Sequence, residues 1–268
     1  SARIKEAQTI SQVESYAKDN TNLIVQVQSS HLERFVAYLH RQKKNDNITT
    51  RLFDDCKILG STHANNNSKS ASLLFLSCRG DDNNDSAIEM ARGLYSDPLL
   101  ARAIKKAYVV QPEIIEGTLH TDQGCDDFAR VILNKLQKHN DSGPMVLRIQ
   151  VFPPKFQSSL LKSFHSALNA VADADDNVND SLKQQLTIAP RGFTHLLSVV
   201  EIYQAKVGGT NLYMIGISPA SHGLDVVDNN TIINKADGGD DLNRAYYKLK
   251  EAIDRYKSNH DEELSQEL

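Results

Sequence analysis

Between Leu23 and Val110 the apolar residues switch repeatedly between the two-residue period of a strand and the 3.6-residue period of a helix, and the order of those switches restricts the possible folds more than any single residue does. Leu23-Ile-Val-Gln-Val27 is a short β-branched run of strand type. In His31 to Lys44 the residues Leu32, Phe35, Val36 and Leu39 share one helical face, and Asn45-Asp-Asn47 supplies the stop. Arg51 to Leu59 and Ala71 to Cys78 read as two strands of a hairpin joined through the Asn-rich stretch at Asn65-Asn-Asn67. Asp85 to Tyr95 returns to helical spacing through Ile88, Ala91, Leu94 and Tyr95, with Asp85 or Ser86 placed to cap its first turn. Ala107-Tyr-Val-Val110 is again a strand.

The resulting order, β-α-β-β-α-β, is that of a ferredoxin-like half-barrel, in which two helices cover one face of an antiparallel sheet. It places a first α+β domain over residues 1–110, behind a polar lead. A second domain follows over 111–225. Its helix from Gly124 to His139 carries Phe128, Val131, Ile132 and Leu136. Met145 to Phe152 then alternates Leu147, Ile149 and Val151 against Arg148 and Gln150, which predicts one buried face and one open to solvent or a polyanion. Phe156 to Val171 has a continuous apolar stripe of Phe156, Leu160, Leu161, Phe164, Ala167, Leu168 and Val171, with Lys162 and His165 opposite. Phe193 to Gln204 and Asn211 to Ser218 are strands flanking Val207-Gly-Gly-Thr210, a hairpin turn and not a phosphate cradle. From Ser221 to Asp241 the chain turns polar and Gly-, Asn- and Asp-rich, so residues 226–268 read as a linker and one further helix.

Hydrophobic residues at 40% and charged residues at 24% are proportions of a folded globular chain, and no apolar run approaches the ~20 residues of a membrane span, which predicts a soluble, intracellular protein with no membrane partner. Cys56, Cys78 and Cys125 show no Cys-x-x-Cys spacing and read as buried thiols. The net charge of −4 excludes a protein that coats nucleic acid indiscriminately. Charge is nevertheless uneven. No Asp or Glu occurs from Met145 to Ala172 or from Ser181 to Val200, where Arg148, Lys155, Lys162, Lys183 and Arg191 fall, while acids gather at Asp173 to Asp180. Those bases either form a phosphate-binding face or merely solubilise the chain. His120-Thr-Asp122 and Cys125-Asp-Asp127 have the residue types of a metal site or a Cys/His nucleophile, but no partner histidine stands at ligand spacing, so capping is the expected role and no metal is predicted. Gly-x-Ser-x-Gly, Gly-Lys-Ser/Thr and His-Glu-x-x-His patterns are absent from the sequence.

The final helical pattern, Asn243 to Tyr256, buries Leu242, Ala245, Tyr246, Leu249, Ile253 and Tyr256 and sets Arg244, Lys248, Glu251 and Arg255 on the other face. That face suits an anion, or it is an ordinary solvated one. The run Arg244-Ala245-x-x-Lys248-Leu249-x-Glu251 resembles the opening helix of the FtsJ-like S-adenosylmethionine-dependent RNA ribose 2′-O-methyltransferases, with Asn243 where that family carries Ser. The resemblance implies that Lys248 is the first member of a Lys-Asp-Lys-Glu catalytic tetrad and favours deprotonation of a ribose hydroxyl. More broadly, the order of elements resembles the ribosomal RNA methyltransferases that place ferredoxin-like and THUMP domains before the catalytic one, with Leu100 to Val110 as the strand entry between the two modules. It implies a THUMP-like domain over 111–225 and a structured, ribosomal RNA partner. Arg148, Lys155, Lys162, Arg191 and Arg244 are then expected at phosphates, with His195 or His165 hydrogen-bonding beside them. It further implies a methyltransferase domain beyond Leu268, with S-adenosylmethionine bound there and not by this segment. The alternatives are a non-catalytic module for protein or ribonucleoprotein contact, and a small-molecule enzyme, for which no convergent polar constellation is visible.

Overall fold

The computed structural model of the chain describes residues 9–42, 56–63, 71–79, 85–138, 144–173, 186–203 and 211–220. All of these belong to one compact unit, Ser1–Leu224. Lys183, Arg244, Lys248 and the linker and helix expected over 226–268 lie outside the described residues.

The polar lead conceals a helix, α1 (Ile10–Lys18), opened by a capping box in which Thr9 and Gln12 satisfy each other's backbone amides. Then come β1 (Leu23–Gln28), a 3-10 turn at Ser29–His31, α2 (Leu32–Gln42), β2 (Cys56–His63), β3 (Ala71–Cys78) and α3 (Asp85–Ser96). β2 is described from Cys56 and runs past Leu59 to His63, with a bulge between Ile58 and Gly60; residues 51–55 of the expected strand lie outside the described residues. Leu100 to Ala103 is not strand but part of a short helix, α4 (Pro98–Ala103), because the Asp97 carboxylate accepts from the amides of Leu99 and Leu100 at 2.8 and 3.1 Å and Pro98 pre-sets the first turn. β4 (Ile104–Val109) follows directly. The four strands lie in the order β2-β3-β1-β4, every pair antiparallel, which is the ferredoxin-like arrangement expected from the element order. Leu23, Val25, Val27, Leu74 and Leu76 point to one face, and Phe35, Val36 and Leu39 of α2 with Ile88, Ala91 and Leu94 of α3 cover it.

The second sheet is built from β5 (Ile114–Gly117), β6 (Met145–Phe152), β7 (Leu186–Ile188), β8 (His195–Tyr203) and β9 (Asn211–Pro219), ordered β5-β9-β8-β6-β7. β6 runs parallel to β7 and β8, and the other pairs are antiparallel. Two helices, α5 (Asp122–Lys138) and α6 (Gln157–Asp173), bury Phe128, Ile132, Leu160 and Phe164 against Leu147, Ile149, Val151, Leu197 and Val199. Among the described residues two sheets and six α-helices make the fold α+β. Among the described residues no helix is long and apolar enough to cross a membrane.

The face of each sheet that its helices leave bare is buried in a third cluster. Ile24, Leu73, Phe75 and Tyr108 of the first sheet, Phe152, Val200 and Met214 of the second, and Val13 and Tyr16 of α1 share it. Tyr16 leans on Phe75 at 5.6 Å between ring centroids and Tyr108 on Phe152 at 6.2 Å. The open face expected for Met145 to Phe152 is therefore corrected: Gln150 is 4% exposed and its Nε2 donates to Ser198 Oγ at 2.6 Å inside the layer. The alternation is real, but β6 is an interior strand whose second face is also packed.

The chain crosses between sheets at Val109 to Gln111, where the Gln111 amide donates to the Ile215 carbonyl at 2.7 Å. At this crossing Gly216 sits against the Val109 carbonyl and Val110 Cα so closely that a Cβ would overlap main chain. Gly216→Ala is expected to lower unfolding free energy by about 1–3 kcal/mol, seen as a reduced urea midpoint. An unchanged midpoint would show that the two sheets are not held this close.

Candidate nucleic-acid interface

The parallel pairing of β6 and β8 sets Leu147 opposite His195 and Arg148 opposite Leu196, so both strands begin at one end of the second sheet. The chain reaches that end through Ala189 to Thr194. Ala189 donates to Leu147 O at 2.9 Å, Thr194 to Val146 O at 2.8 Å, and Gly192 turns the chain at a φ of 64°. This short, tied segment presents Arg191, exposed, and Phe193, half-buried. The Arg148 guanidinium lies over the Phe193 ring, 5.3 Å from its centroid.

Beside the stack, Thr194 Oγ1 accepts from the Val146 amide at 2.9 Å and lies 2.9 Å from His195 Nδ1. The Thr hydroxyl is also 3.3 Å from Val146 O. It has one proton to give, either to that carbonyl or to the imidazole, and the choice sets which tautomer leaves Nε2 as acceptor or donor. Burial depresses the His195 pKa, so the ring is neutral at pH 7 and is a hydrogen-bonding group there, not a cation.

The bases singled out in the sequence are not brought to one place. Arg148, Arg191 and His195 lie near the start of β6 and β8, but sheet alternation turns His195 to the helix side with Leu197 and Arg148 to the opposite side with Gln150. Lys155 stands past the far end of β6, whose last residue is roughly 13 Å along the strand from Arg148 at ~3.3 Å per residue, and lies over the ring of Phe156 at 4.6 Å. Lys162 and His165 share the outer side of α6, as their spacing against the apolar stripe predicts. What unites these positions is the lack of acid. Within residues 144–173 and 186–203 the carboxylates are Asp173 and Glu201, and Glu201 is 5% exposed. The other flank of the same sheet is mixed in charge: Glu116 and Asp127 line a cavity of about 330 Å³ between β5 and α5, and Arg130 pairs with Asp127 and Lys135 with Glu113.

Glu201 belongs to a polar cluster that no sequence pattern marks. Its Oε2 accepts from Tyr213 Oη at 3.1 Å and Asn211 Nδ2 at 3.2 Å, and His120 Nε2 lies 4.0 Å away. Tyr213 Oη accepts in turn from the Leu119 amide at 3.2 Å, and its pKa is raised, foremost by burial. The cluster pins the Leu119–His120 corner to β8 and β9 and sets the His120 ring edge-on to Phe156 at 4.7 Å. Glu201 and Asn211 stand on neighbouring strands ten residues apart, and only the hairpin, with its bulge, joins them. The capping role expected for the adjoining segment is observed: Thr121 Oγ1 accepts from Gly124 N at 3.1 Å. Cys125 is buried, donates to Leu119 O at 3.4 Å and has its thiol pKa raised by burial and by Asp122 and Asp126, the reverse of an activated nucleophile. Among the described residues no three His, Cys, Asp or Glu side chains gather as metal ligands do.

No protein-family model matches the chain, and no curated protein matches its sequence. Among solved structures it is similar to PH1313 from Pyrococcus horikoshii Ot3, at 11% identity and a TM-score of 0.36 over 74% of this chain. The chain spans about half of that protein, 55% of its length.

Because burial lowers the His195 pKa below the ordinary imidazole value of about 6.5, the folded state binds this proton less readily than the unfolded one. Its contribution to stability is full above that value and is lost as pH falls through the folded pKa. The His195 ring resonances should titrate below those of an exposed histidine, and His195→Gln should flatten the fall in stability on acidification. An ordinary titration midpoint would contradict the burial.

Proposed function

We propose that this chain recognises structured RNA through the second sheet and α6, as the substrate-binding part of an S-adenosylmethionine-dependent RNA ribose 2′-O-methyltransferase acting on ribosomal RNA. The observation that carries the RNA reading is the Arg148–Phe193 stack with Arg191 beside it, on the acid-poor flank of the sheet. A guanidinium held over a ring keeps a delocalised positive charge at a defined place on the surface, which suits a phosphate or a base edge. Thr194 and neutral His195 add hydrogen-bonding groups of the kind that meet a 2′-hydroxyl. Lys155, Lys162 and His165 extend the acid-poor surface over α6 toward the far end of β6. The opposite flank carries carboxylates paired with bases, Asp127 with Arg130 and Glu113 with Lys135, and so lacks the acid-free character of the proposed face.

The methyl-transfer part of the proposal rests on the helix pattern around Arg244 and Lys248. S-adenosylmethionine supplies the methyl group in that chemistry, and its pocket belongs in this reading to a domain beyond Leu268, so the described residues are assigned RNA contact alone. A protein-binding role has one observation in its favour, the cavity between β5 and α5 against which Phe128 and the 41%-exposed Val131 lie.

Binding of the intact chain to structured RNA should weaken steeply with salt. Arg148→Ala combined with Arg191→Glu should weaken it about tenfold at low salt, and the salt slope should fall by about 1 for every phosphate the variant no longer neutralises. Arg148→Lys should not restore affinity, because an ammonium lacks the planar fork that stacks on Phe193. Failure to bind any structured RNA at low salt, with a protein co-purifying instead, would overturn the proposal.

A further inference from the structure

Cys56 and Cys78, twenty-two positions apart, are brought face to face by the pairing of β2 with β3, where they stand in direct register. Their sulfurs are 3.4 Å apart, with the Cys78 thiol donating to Cys56 Sγ, and both residues are buried beneath the first sheet's helices. Both are in the reduced, thiol form.

The hydrogen bonding around Cys78 defines what kind of pair this is. Its amide donates to Asn22 Oδ1 and its carbonyl accepts from Asn22 Nδ2, each at 2.8 Å, and Asn22 stands immediately before β1. In an antiparallel ladder the N–H and C=O of one residue point the same way, so both main-chain groups of Cys78 face β1 and neither faces β2. Cys56 and Cys78 are therefore a non-hydrogen-bonded cross-strand pair, the closer of the two classes, with Cα atoms roughly 4.5 Å apart, inside the range of about 4.4–6.8 Å that a disulfide spans. The sulfurs need to approach by only about 1.4 Å to reach bonding distance. The Asn22 carboxamide ties the end of β3 to the start of β1 and so leaves the β2 side of Cys78 to its cross-strand partner, Cys56.

From this geometry we infer that Cys56 and Cys78 form a thiol–disulfide modification site, oxidised by small disulfides of the glutathione type. One protein thiolate attacks the reagent's S–S bond, forming a mixed disulfide and releasing one glutathione thiolate. The second protein thiolate then attacks the protein sulfur of that mixed disulfide, forming Cys56–Cys78 and expelling the second glutathione thiolate. Two protein protons end on the two glutathione thiols, and two electrons pass from the protein to the reagent. Both thiols are buried, so the reagent requires a local opening; Cys56 is the first described residue of β2, an outer strand among the described residues, and Cys78 is the last of β3, which makes that opening smaller than unfolding of the sheet. Cys125, on another element and bonded to Leu119 O, has no thiol partner among the described residues and serves as an internal control.

The test incubates the intact chain, under native conditions, with oxidised glutathione, followed by denaturation, alkylation of remaining thiols and peptide mass analysis. The expected product is a Cys56–Cys78 linked peptide pair lighter by two hydrogens, with Cys125 recovered as an alkylated thiol. In Cys78→Ser, Cys56 should stop at the glutathione mixed disulfide, which the parent does not accumulate. The linked form should also unfold at a higher temperature than the reduced form, since the bridge closes a loop in the unfolded chain. Recovery of both thiols unlinked, linkage to Cys125 instead, or linkage only at urea concentrations that unfold the chain would each overturn the proposal.

Discussion

Burial of the two helix-free sheet faces in a common layer is the constraint on which the remainder of this structure depends. Each half has its own helix-covered core, but a sheet with one bare apolar face is unfinished, and Phe75, Tyr108, Phe152 and Met214 would otherwise meet water. Placing them against one another, with Tyr16 of α1 in the same cluster, removes that cost. The layer admits few substitutions because main chain approaches main chain at Gly216 and Val109. The polar groups caught inside, Gln150 and Ser198, bond to each other.

The layer also decides what the proposed interface can be. With its second face buried, β6 cannot offer a strand surface to RNA, so the surface that remains is made of strand ends, the turn before β8 and the outer side of α6. Arg148 is partly buried at the layer's margin, where the Phe193 ring limits its freedom. The Glu201 cluster does the corresponding work at the opposite end of β8, anchoring the Leu119–His120 corner against which Phe156 packs. The charge of the second sheet is uneven along its strand order: the β5 and α5 side mixes acids with bases that pair with them, whereas the described residues of β6, β8 and α6 carry bases with few acids.

Cys56 and Cys78 show the same dependence at smaller scale. Along the chain they are unrelated thiols without a motif. The ladder between β2 and β3 makes them neighbours, while the Asn22 side chain ties the end of β3 to β1.

Local chemistry is legible wherever it is encoded within one turn or one strand: the periods of α2, α3, α5 and α6, the alternation of β6 and the Thr121 cap can all be read along the chain. Even α1 has its signal, since Thr9 and Gln12 are spaced as a capping box, but the polar residues around it hide the short apolar stripe of Val13, Tyr16 and Ala17. Strands β5 and β7, only four and three residues long, have too few side chains to show a period and exist because the neighbours β9 and β6 pair with them. The types and charges of Arg148, Arg191, Lys155 and Lys162 belong to the sequence, as does the absence of acid among them. Which of these bases stand together, which face of β6 is closed, that Glu201 finds Tyr213 and Asn211, and that two distant thiols touch were decided by tertiary structure alone. Those outcomes depend on strand register and on one sheet face closing over another, and neither is a property of residues near one another along the chain.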